Sequence, residues 1–170
     1  CHRQVHSGFT LVELLLYVSI SASLLLGISV FLSTVLQARI KNQTIAEVEQ
    51  QGVQAMHIIT QTIRNAESVD SPDAGESDTE LELVMTNPAV DPTLFDEQAG
   101  AVRIREGNGS FTALTNSRVT ASGLEFQNLS ADDTPGIIRV SFTLTHINPE
   151  GKNEYSFSKT FTNSASLRLP

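Results

Sequence analysis

The chain has 170 residues and a formal net charge of −8, with 11 Lys and Arg residues against 19 Asp and Glu residues. This balance argues against nucleic acid as the main partner, because binding to a phosphate backbone requires clustered basic side chains. Cys1 is the one cysteine, so no disulfide framework is expected. The composition therefore argues against nucleic acid as the main partner and against a disulfide-stapled scaffold, while weak binding of nucleic acid at a local basic patch stays open.

A long uncharged segment follows Glu13 near the start of the chain. Residues 14–36 number 23. A helix of this length spans roughly 34 Å, enough to cross a hydrocarbon core of ~30 Å. The segment is too long for a cleavable secretory signal, and no small-residue cleavage site follows it. Because a charge within a bilayer is costly, Glu13 is a candidate functional residue. The alternative is an ordinary signal anchor with Glu13 at the headgroup boundary.

The residues around this carboxylate form a specific motif. Gly8-Phe9-Thr10-Leu11-Val12-Glu13, joined to an apolar segment, resembles the prepilin cleavage and methylation motif of type IV pilins and type II secretion pseudopilins. The resemblance implies that a prepilin peptidase cleaves after Gly8, removes a leader of residues 1–8 and methylates the new amino group of Phe9. That ammonium group would need a counter-charge in an apolar filament core, and Glu13 of a neighbouring subunit could supply it.

Two further features of this region concern topology and packing. Arg3 favours a cytoplasmic N-terminus, and because the chain starts at Cys1 we expect further leader residues before it. Five serines and Gly27 dilute the apolar segment. Such small residues either let helices approach closely in lipid or, for the serines, hydrogen-bond back to their own helix. The sequence leaves both interpretations open.

The helical pattern continues beyond the apolar segment. Across residues 45–66, apolar side chains recur every three or four positions and form one stripe. We therefore predict a helix over residues 9–67, transmembrane over 9–36 and amphipathic over 37–67. The stripe of the second part is expected to pack on a globular domain.

Residues 68–80 interrupt this pattern with Ser, Asp, Glu, Pro and Gly, which predicts a break after the helix. The five carboxylates of this segment could bind calcium through their oxygens; they are Asp70, Asp73, Glu76, Asp78 and Glu80. Their spacing is not that of a helix–loop–helix calcium site. The sequence therefore favours a solvated acidic loop without a cofactor, and a calcium loop is the alternative.

From about Thr79 the apolar pattern changes to a period of two, which is typical of half-buried antiparallel strands. Residues 138–144 and 155–161 alternate most clearly, and turn signals rich in Gly, Pro and Asn separate the strands. Residues 87–98 contain two prolines and are predicted to be a loop with no regular element. The predicted fold class is α+β, with a long N-terminal helix packed on an antiparallel β-sheet domain of residues 68–170.

The C-terminal half adds a looser resemblance. Residues 109–126 and 161–168 are similar to strands of J-type pseudopilins and W-type minor pilins. The two resemblances together imply the pilin fold and a minor subunit of a type IV pilus, a competence filament or a type II secretion pseudopilus. The implied partners are prepilin peptidase, other pilin or pseudopilin subunits and inner-membrane lipid. The implied location is a single-pass inner-membrane protein with its C-terminal domain outside the cytoplasm, later assembled into a filament.

The sequence contains no recognisable catalytic motif. It has no nucleophile elbow, no His-Glu-x-x-His helix and no phosphate-binding loop. His57 lies beside the apolar stripe, and we expect packing to bury it partly rather than a ligand to occupy it. The sequence thus favours a protein that acts by assembly and not as an enzyme. The alternatives are a membrane-anchored adhesin or ligand-binding β domain and, with less support, a tethered enzyme.

Overall fold

The computed structural model describes residues 10–131 and 136–168. This part of the chain forms one long helix followed by β strands, and a short 3₁₀ turn (Asn153–Tyr155) precedes the last strand. The chain divides into two compact units, one up to Ile40 and one from Lys41 onward. The elements are α1 (Leu11–Asn65), β1 (Ala66–Ser71), β2 (Ser77–Asp78), β3 (Leu81–Met85), β4 (Thr93–Gln98), β5 (Ala101–Glu106), β6 (Thr112–Ala113), β7 (Val119–Asn128), β8 (Ile137–His146) and β9 (Ser158–Ser166).

The described part of the N-terminal unit is helical from Leu11, and α1 continues without a break to Asn65. No proline occurs before Pro72, so no residue interrupts the backbone hydrogen bonds of α1. The side chains from Thr10 to Arg39 are all exposed although most are apolar. By length and composition this helix could cross a membrane, and it lies near the N-terminus as predicted.

The second part of α1 packs on the β strands through one apolar face. The buried residues of this face recur at helical spacing and are Val48, Gly52, Ala55, Met56, Ile59 and Ile63. They confirm the predicted stripe. The helix ends at Asn65, before the predicted limit at residue 67, because Ala66 already begins β1.

The first sheet has the strand order β1-β3-β4-β5-β6, and its paired strands are antiparallel. One face of this sheet is buried, as the alternation of apolar and polar residues requires. Its fully buried apolar side chains are Leu81, Leu83, Phe95 and Val102. β1 pairs with β3 through two register shifts, so this edge strand is irregular.

The second sheet has the strand order β2-β7-β8-β9 and is also antiparallel. β8 supplies four alternating, fully buried side chains to the core, Ile138, Val140, Phe142 and Leu144. Within β7, Gly123 has a φ of 65° and lies at the register shift between Ser122 and Glu125. A bulge of this kind lets β7 continue through Gly123 as one strand.

The predicted α+β class is confirmed, with a long N-terminal helix and an antiparallel β region. The β region differs from the prediction because it forms two sheets instead of one. The rings of Phe95 in the first sheet and Phe126 in the second lie 6.4 Å apart, which places both in one core. That core is shared by both sheets and by the second part of α1.

Three local predictions were wrong. The predicted loop at residues 87–98 contains β4, in which Thr93 and Phe95 are fully buried; Pro92 only precedes the strand, a position that proline tolerates. The predicted break at residues 68–80 contains most of β1 and all of β2. Both are short or irregular edge strands, whose side chains are mostly exposed, so their sequences lack an apolar alternation. The last strand begins at Ser158, later than the alternation over residues 155–161 suggested, because Tyr155 belongs to the 3₁₀ turn.

Candidate assembly site

The candidate assembly site is the start of α1, where the motif meets the apolar segment. Thr10 precedes the first helical residue, and its hydroxyl oxygen Oγ1 accepts a hydrogen bond from the backbone N–H of Glu13 at 3.3 Å. The carbonyl of Thr10 accepts from the N–H groups of Glu13 and Leu14 at 3.1 and 3.2 Å. Thr10 therefore caps the helix at the position where such a hydroxyl is preferred. Gly8 and Phe9 lie outside the described residues.

Glu13 lies in the first turn of α1, and its side chain is exposed. A carboxylate is favourable here because the unpaired N–H groups of a helix start carry partial positive charge. The helix start thus tolerates an acid at position 13 without any partner inside the described chain. The structure places the predicted residue at the rim of the apolar segment and not within the folded core.

The apolar segment behind Glu13 presents bulky side chains on all sides. Leu11 is 78% exposed and Phe31 is 70% exposed, and the large side chains between them are all at least half exposed. A soluble monomer rarely exposes a continuous apolar surface of this size. An apolar surface of this kind is typical of a helix that lies in lipid or among other apolar helices.

The hydroxyl groups of the segment bear on the two interpretations that the sequence left open. Ser19 donates to the carbonyl of Leu16, and Ser23 donates to the carbonyl of Ser19, each at 2.9 Å. Ser29 and Thr34 donate to carbonyls four residues earlier, at 2.8 and 2.9 Å. These four hydroxyls are satisfied within their own helix, which is how polar groups are accommodated in an apolar medium.

Two polar contacts connect the second part of α1 to the β region, in addition to the buried apolar face. The ammonium group of Lys41 donates to the carbonyls of Asn153 at 3.1 Å and Ser156 at 2.6 Å. Lys159 of β9 donates to Oε1 of Glu49 at 2.6 Å. Exposed pairs of this kind contribute only about 0–1 kcal/mol each, so they orient the helix more than they stabilise it.

A third contact involves His146, the last residue of β8. Glu47 accepts a hydrogen bond from Asn116 at 3.3 Å, and its other oxygen lies 3.5 Å from Arg118 and 3.8 Å from Nε2 of His146. The His146 ring stacks on Tyr155 at 5.9 Å between ring centres, and its buried Nδ1 has no hydrogen-bond partner among the described residues. His146 thus packs at the end of β8 against α1.

His57 does not behave as predicted. Its side chain is exposed, so the expected partial burial is wrong. The reason is its phase on the helix, because Met56 and Ile59 occupy the buried face while His57 lies at the flank of the stripe. The residue lines a shallow groove beside β9 that the sequence did not suggest.

The acidic segment is organised by backbone contacts. The carbonyl of Asn128 accepts from the N–H of Gly75 at 2.9 Å, and the N–H of Asn128 donates to the carbonyl of Glu76 at 2.9 Å. The side chain of Asn128 donates to the carbonyl of Pro72 at 2.8 Å. Throughout residues 10–131 and 136–168, no three His, Cys, Asp or Glu side chains are placed to hold a metal ion. The segment gives no support to a calcium loop.

Two ion pairs shift pKa values in the β region. Asp96 of β4 accepts two hydrogen bonds from Arg103 of β5, one of them at 2.8 Å from Nε, and this contact raises the pKa of Arg103. In the turn before the 3₁₀ segment, the ammonium group of Lys152 lies 2.5 Å from Glu150. This pair lowers the pKa of Glu150 and raises the pKa of Lys152. Both are pairwise contacts that local structure explains, and neither indicates catalysis.

No protein-family model matches the chain, and no curated protein or solved structure matches it either.

Proposed function

We propose that this chain is a minor pilin or pseudopilin, a structural subunit of a type IV pilus-like filament or a type II secretion pseudopilus. The observation that carries the proposal is the joining of three features in one N-terminal region. A Gly8/Phe9 junction precedes Glu13, an exposed apolar helix follows at once, and that helix continues into a stripe packed on the β region. An ordinary signal anchor requires neither the motif nor the helical continuation.

In this function the chain works by assembly. Prepilin peptidase cleaves after Gly8 and leaves Phe9 as a methylated N-terminus. The apolar part of α1 then moves from the inner membrane into a bundle of similar helices. Its exposed side chains pack there against those of other subunits, while the β region, outside the cytoplasm, coats the bundle.

Glu13 has a defined role in this proposal. Moving an unpaired ammonium group and an unpaired carboxylate into an apolar bundle is costly, and pairing them across subunits offsets that cost. The side chain of Glu13 is exposed, and among the described residues it takes part in no ion pair that would compete for its carboxylate. Glu13 therefore attracts Phe9 of an adjacent subunit and sets the axial position of the incoming helix.

Processing in a host with an active prepilin peptidase tests the proposal. We expect intact mass and N-terminal sequencing to give a mature chain that starts at N-methylated Phe9. Gly8→Val should block cleavage, because the branched side chain hinders the close approach that glycine allows. Ser7→Ala is the matched control and should be cleaved as the natural chain is.

Two outcomes would contradict the proposal. One is retention of residues 1–8 in that host. The other is a chain that is uncleaved, stays in the membrane and does not co-purify with filament subunits. The second outcome would favour a membrane-anchored binding domain, which needs the helix only as an anchor.

A further inference from the structure

The outer edge of β9 carries backbone groups that no described strand covers. Within residues 10–131 and 136–168, β8 is the neighbouring strand of β9. The N–H of Leu167 donates to Gly136 at 2.8 Å, and the N–H of His146 donates to Phe157 at 2.9 Å. These bonds fix the phase of the ladder, because hydrogen-bonded pairs alternate along antiparallel strands.

With this phase, Phe161, Asn163 and Ala165 direct their backbone N–H and C=O groups towards β8. Thr160, Thr162 and Ser164 direct theirs away from β8. One of these outward groups is already engaged, since the N–H of Ser164 donates to the side chain of Asn163 at 2.8 Å. The edge thus offers donors and acceptors at Thr160 and Thr162 to an added strand.

A groove of about 310 Å³ lies between this part of β9 and α1. Phe161, Thr162 and Asn163 line one side, and a row of α1 residues lines the other. The row has helical spacing along the flank of the buried stripe and includes Val53, Met56, His57, Thr60 and Arg64. Val53 is 62% exposed, so an apolar side chain in the groove would cover it.

The two groove residues with a basic side chain are Arg64 and His57, and no acidic residue lines the groove, although the chain as a whole is acidic. Neither Arg64 nor His57 takes part in an ion pair within the part of the chain that the structure describes. Arg64 lies near the C-terminal end of β9, because its carbonyl accepts from the N–H of Arg168 at 3.3 Å. A carboxylate at this end of the groove would find an available guanidinium group.

We infer that the groove binds an extended segment of a partner protein by strand addition to β9. The segment pairs its backbone with Thr160 and Thr162, and its alternate side chains enter the groove. Apolar side chains contact Val53 and Met56, and an acidic side chain reaches Arg64. The unpaired backbone groups of β9 favour an extended polypeptide as the ligand, and the guanidinium group of Arg64 favours an acidic one. This inference does not depend on the proposed filament function.

A displayed library of random peptides of roughly 10 residues, a common strand length, is the probe. It is selected on the full chain in detergent micelles, with counter-selection on the Val53→Glu variant. The enriched peptides should alternate apolar and polar residues and carry an acid at one end. Their affinity for Val53→Glu should fall at least about tenfold, because a charged side chain then occupies the groove. Gln54→Glu is the matched control: its neighbouring exposed position does not line the groove, and it should bind as the natural chain does.

Two further variants separate the backbone and charge contributions. Thr162→Pro removes an outward N–H and no hydrogen bond to β8, and it should abolish binding. Arg64→Glu should reverse the preference for an acidic peptide. Val53 and Arg64 are exposed helix positions, so their variants test the inference even if Thr162→Pro fails to fold.

Three outcomes would overturn the inference. The first is no enrichment over the Val53→Glu counter-selection. The second is a set of enriched peptides that lacks the alternation of apolar and polar residues. The same holds for peptides that bind Thr162→Pro as well as the natural chain, provided that this variant has the unfolding transition of the natural chain. The third is self-association that Thr162→Pro abolishes, without peptide enrichment, which would assign the edge to a second copy of this chain.

Discussion

At the scale of single residues, Glu13 is the one charged side chain from Thr10 to Leu36. We expect Glu13→Ala to leave the chain inserted, stable and cleaved, because the residue lies outside the folded core. In the proposed filament, incorporation should fall at least about tenfold, since the ammonium group proposed for Phe9 would lose its counter-charge. Co-purification with other pilin-like subunits, at matched membrane levels, measures this.

Glu76→Ala is the control for Glu13→Ala, because Glu76 is an exposed acid of the β region. It should be incorporated as the natural chain is. Equal incorporation of Glu13→Ala and Glu76→Ala would reject the positioning role of Glu13, while the cleavage proposal would still stand on its own test.

Gly52 sets the approach of α1 to β9. A Cβ atom at position 52 would overlap the ring of Phe161, which is itself stacked on Phe142 at 5.6 Å. Gly52→Ala gains about 1 kcal/mol of helix propensity, but overpacking of a core costs about 1–3 kcal/mol. We expect a net loss of up to about 2 kcal/mol in the free energy of unfolding by urea, followed by circular dichroism in detergent micelles.

A second substitution distinguishes this overlap from a general effect on the helix. In Gly52→Ala/Phe161→Leu the smaller side chain gives the new methyl group room, so the two changes should cost less together than the sum of the single changes. If the two losses in the free energy of unfolding were additive, α1 and β9 would be able to move apart and relieve the overlap without the smaller side chain. A gain in stability from Gly52→Ala alone would contradict the expected overlap.

At the scale of elements, the second part of α1 shows how helical periodicity identifies a packing face. Ile59 belongs to the predicted stripe and is fully buried, whereas Val53 is exposed on the same helix. Ile59→Ala should therefore lower the free energy of unfolding by ~2–5 kcal/mol through loss of buried contacts. Val53→Ala should change it by less than ~0.5 kcal/mol, as is usual at surface positions. Equal effects of the two substitutions in urea unfolding would mean that the helix face is wrong.

The strands that the sequence missed share a physical cause. β4 has a clear inner face, but the neighbouring Pro88 and Pro92 dominate the local signal. β1 and β2 are edge elements with mostly exposed side chains, so burial imposes little pattern on them. The split into two sheets depends on long-range pairs such as Ser77 with Gln127, which no local pattern encodes.

The two candidate sites also differ in how far the local sequence indicates them. Glu13 could be singled out from a contiguous motif, because the role proposed for it rests on the spacing between Phe9 and Glu13 in that motif. The groove depends on Phe161 and Thr162, which tertiary packing brings beside α1. Its helical side could have been found, since Val53, His57 and Arg64 follow one another at helical spacing along the flank of the stripe. The spacing alone does not say that a free strand edge faces them.

At the scale of the whole molecule, the buried core belongs entirely to the second unit. Among the described residues, Thr44 is the first that is buried, and none before it contributes to the core. We expect residues 41–170 expressed alone to fold in water without detergent and to unfold cooperatively in urea. Their amide NMR spectrum should be well dispersed.

The matched comparison for this unit is a chain that starts at Gln51 and so loses Val48 from the core. It should lose cooperative unfolding, because both a fully buried side chain and the contacts of Glu47 and Glu49 are removed. Aggregation or non-cooperative unfolding of residues 41–170 would contradict the expectation and would show that the apolar part of α1 is needed for folding.

Four hydroxyl groups of the apolar segment donate hydrogen bonds to carbonyls of their own helix, so they need no new partner when the segment moves from lipid to a protein interior. Ser19, Ser23, Ser29 and Thr34 already hold carbonyl acceptors in α1. Transfer from lipid to a protein interior therefore requires no exchange of their hydrogen-bond partners, and the transfer free energy of these groups is close to zero. In the proposed assembly, the balance of such a transfer then depends on the dispersion contacts of the apolar side chains, on the other hydroxyl groups of the segment and on the carboxylate of Glu13. In the proposed assembly, the transfer of α1 from the membrane into the filament is then reversible. Its direction depends on whether the ammonium group of an adjacent Phe9 pairs with Glu13.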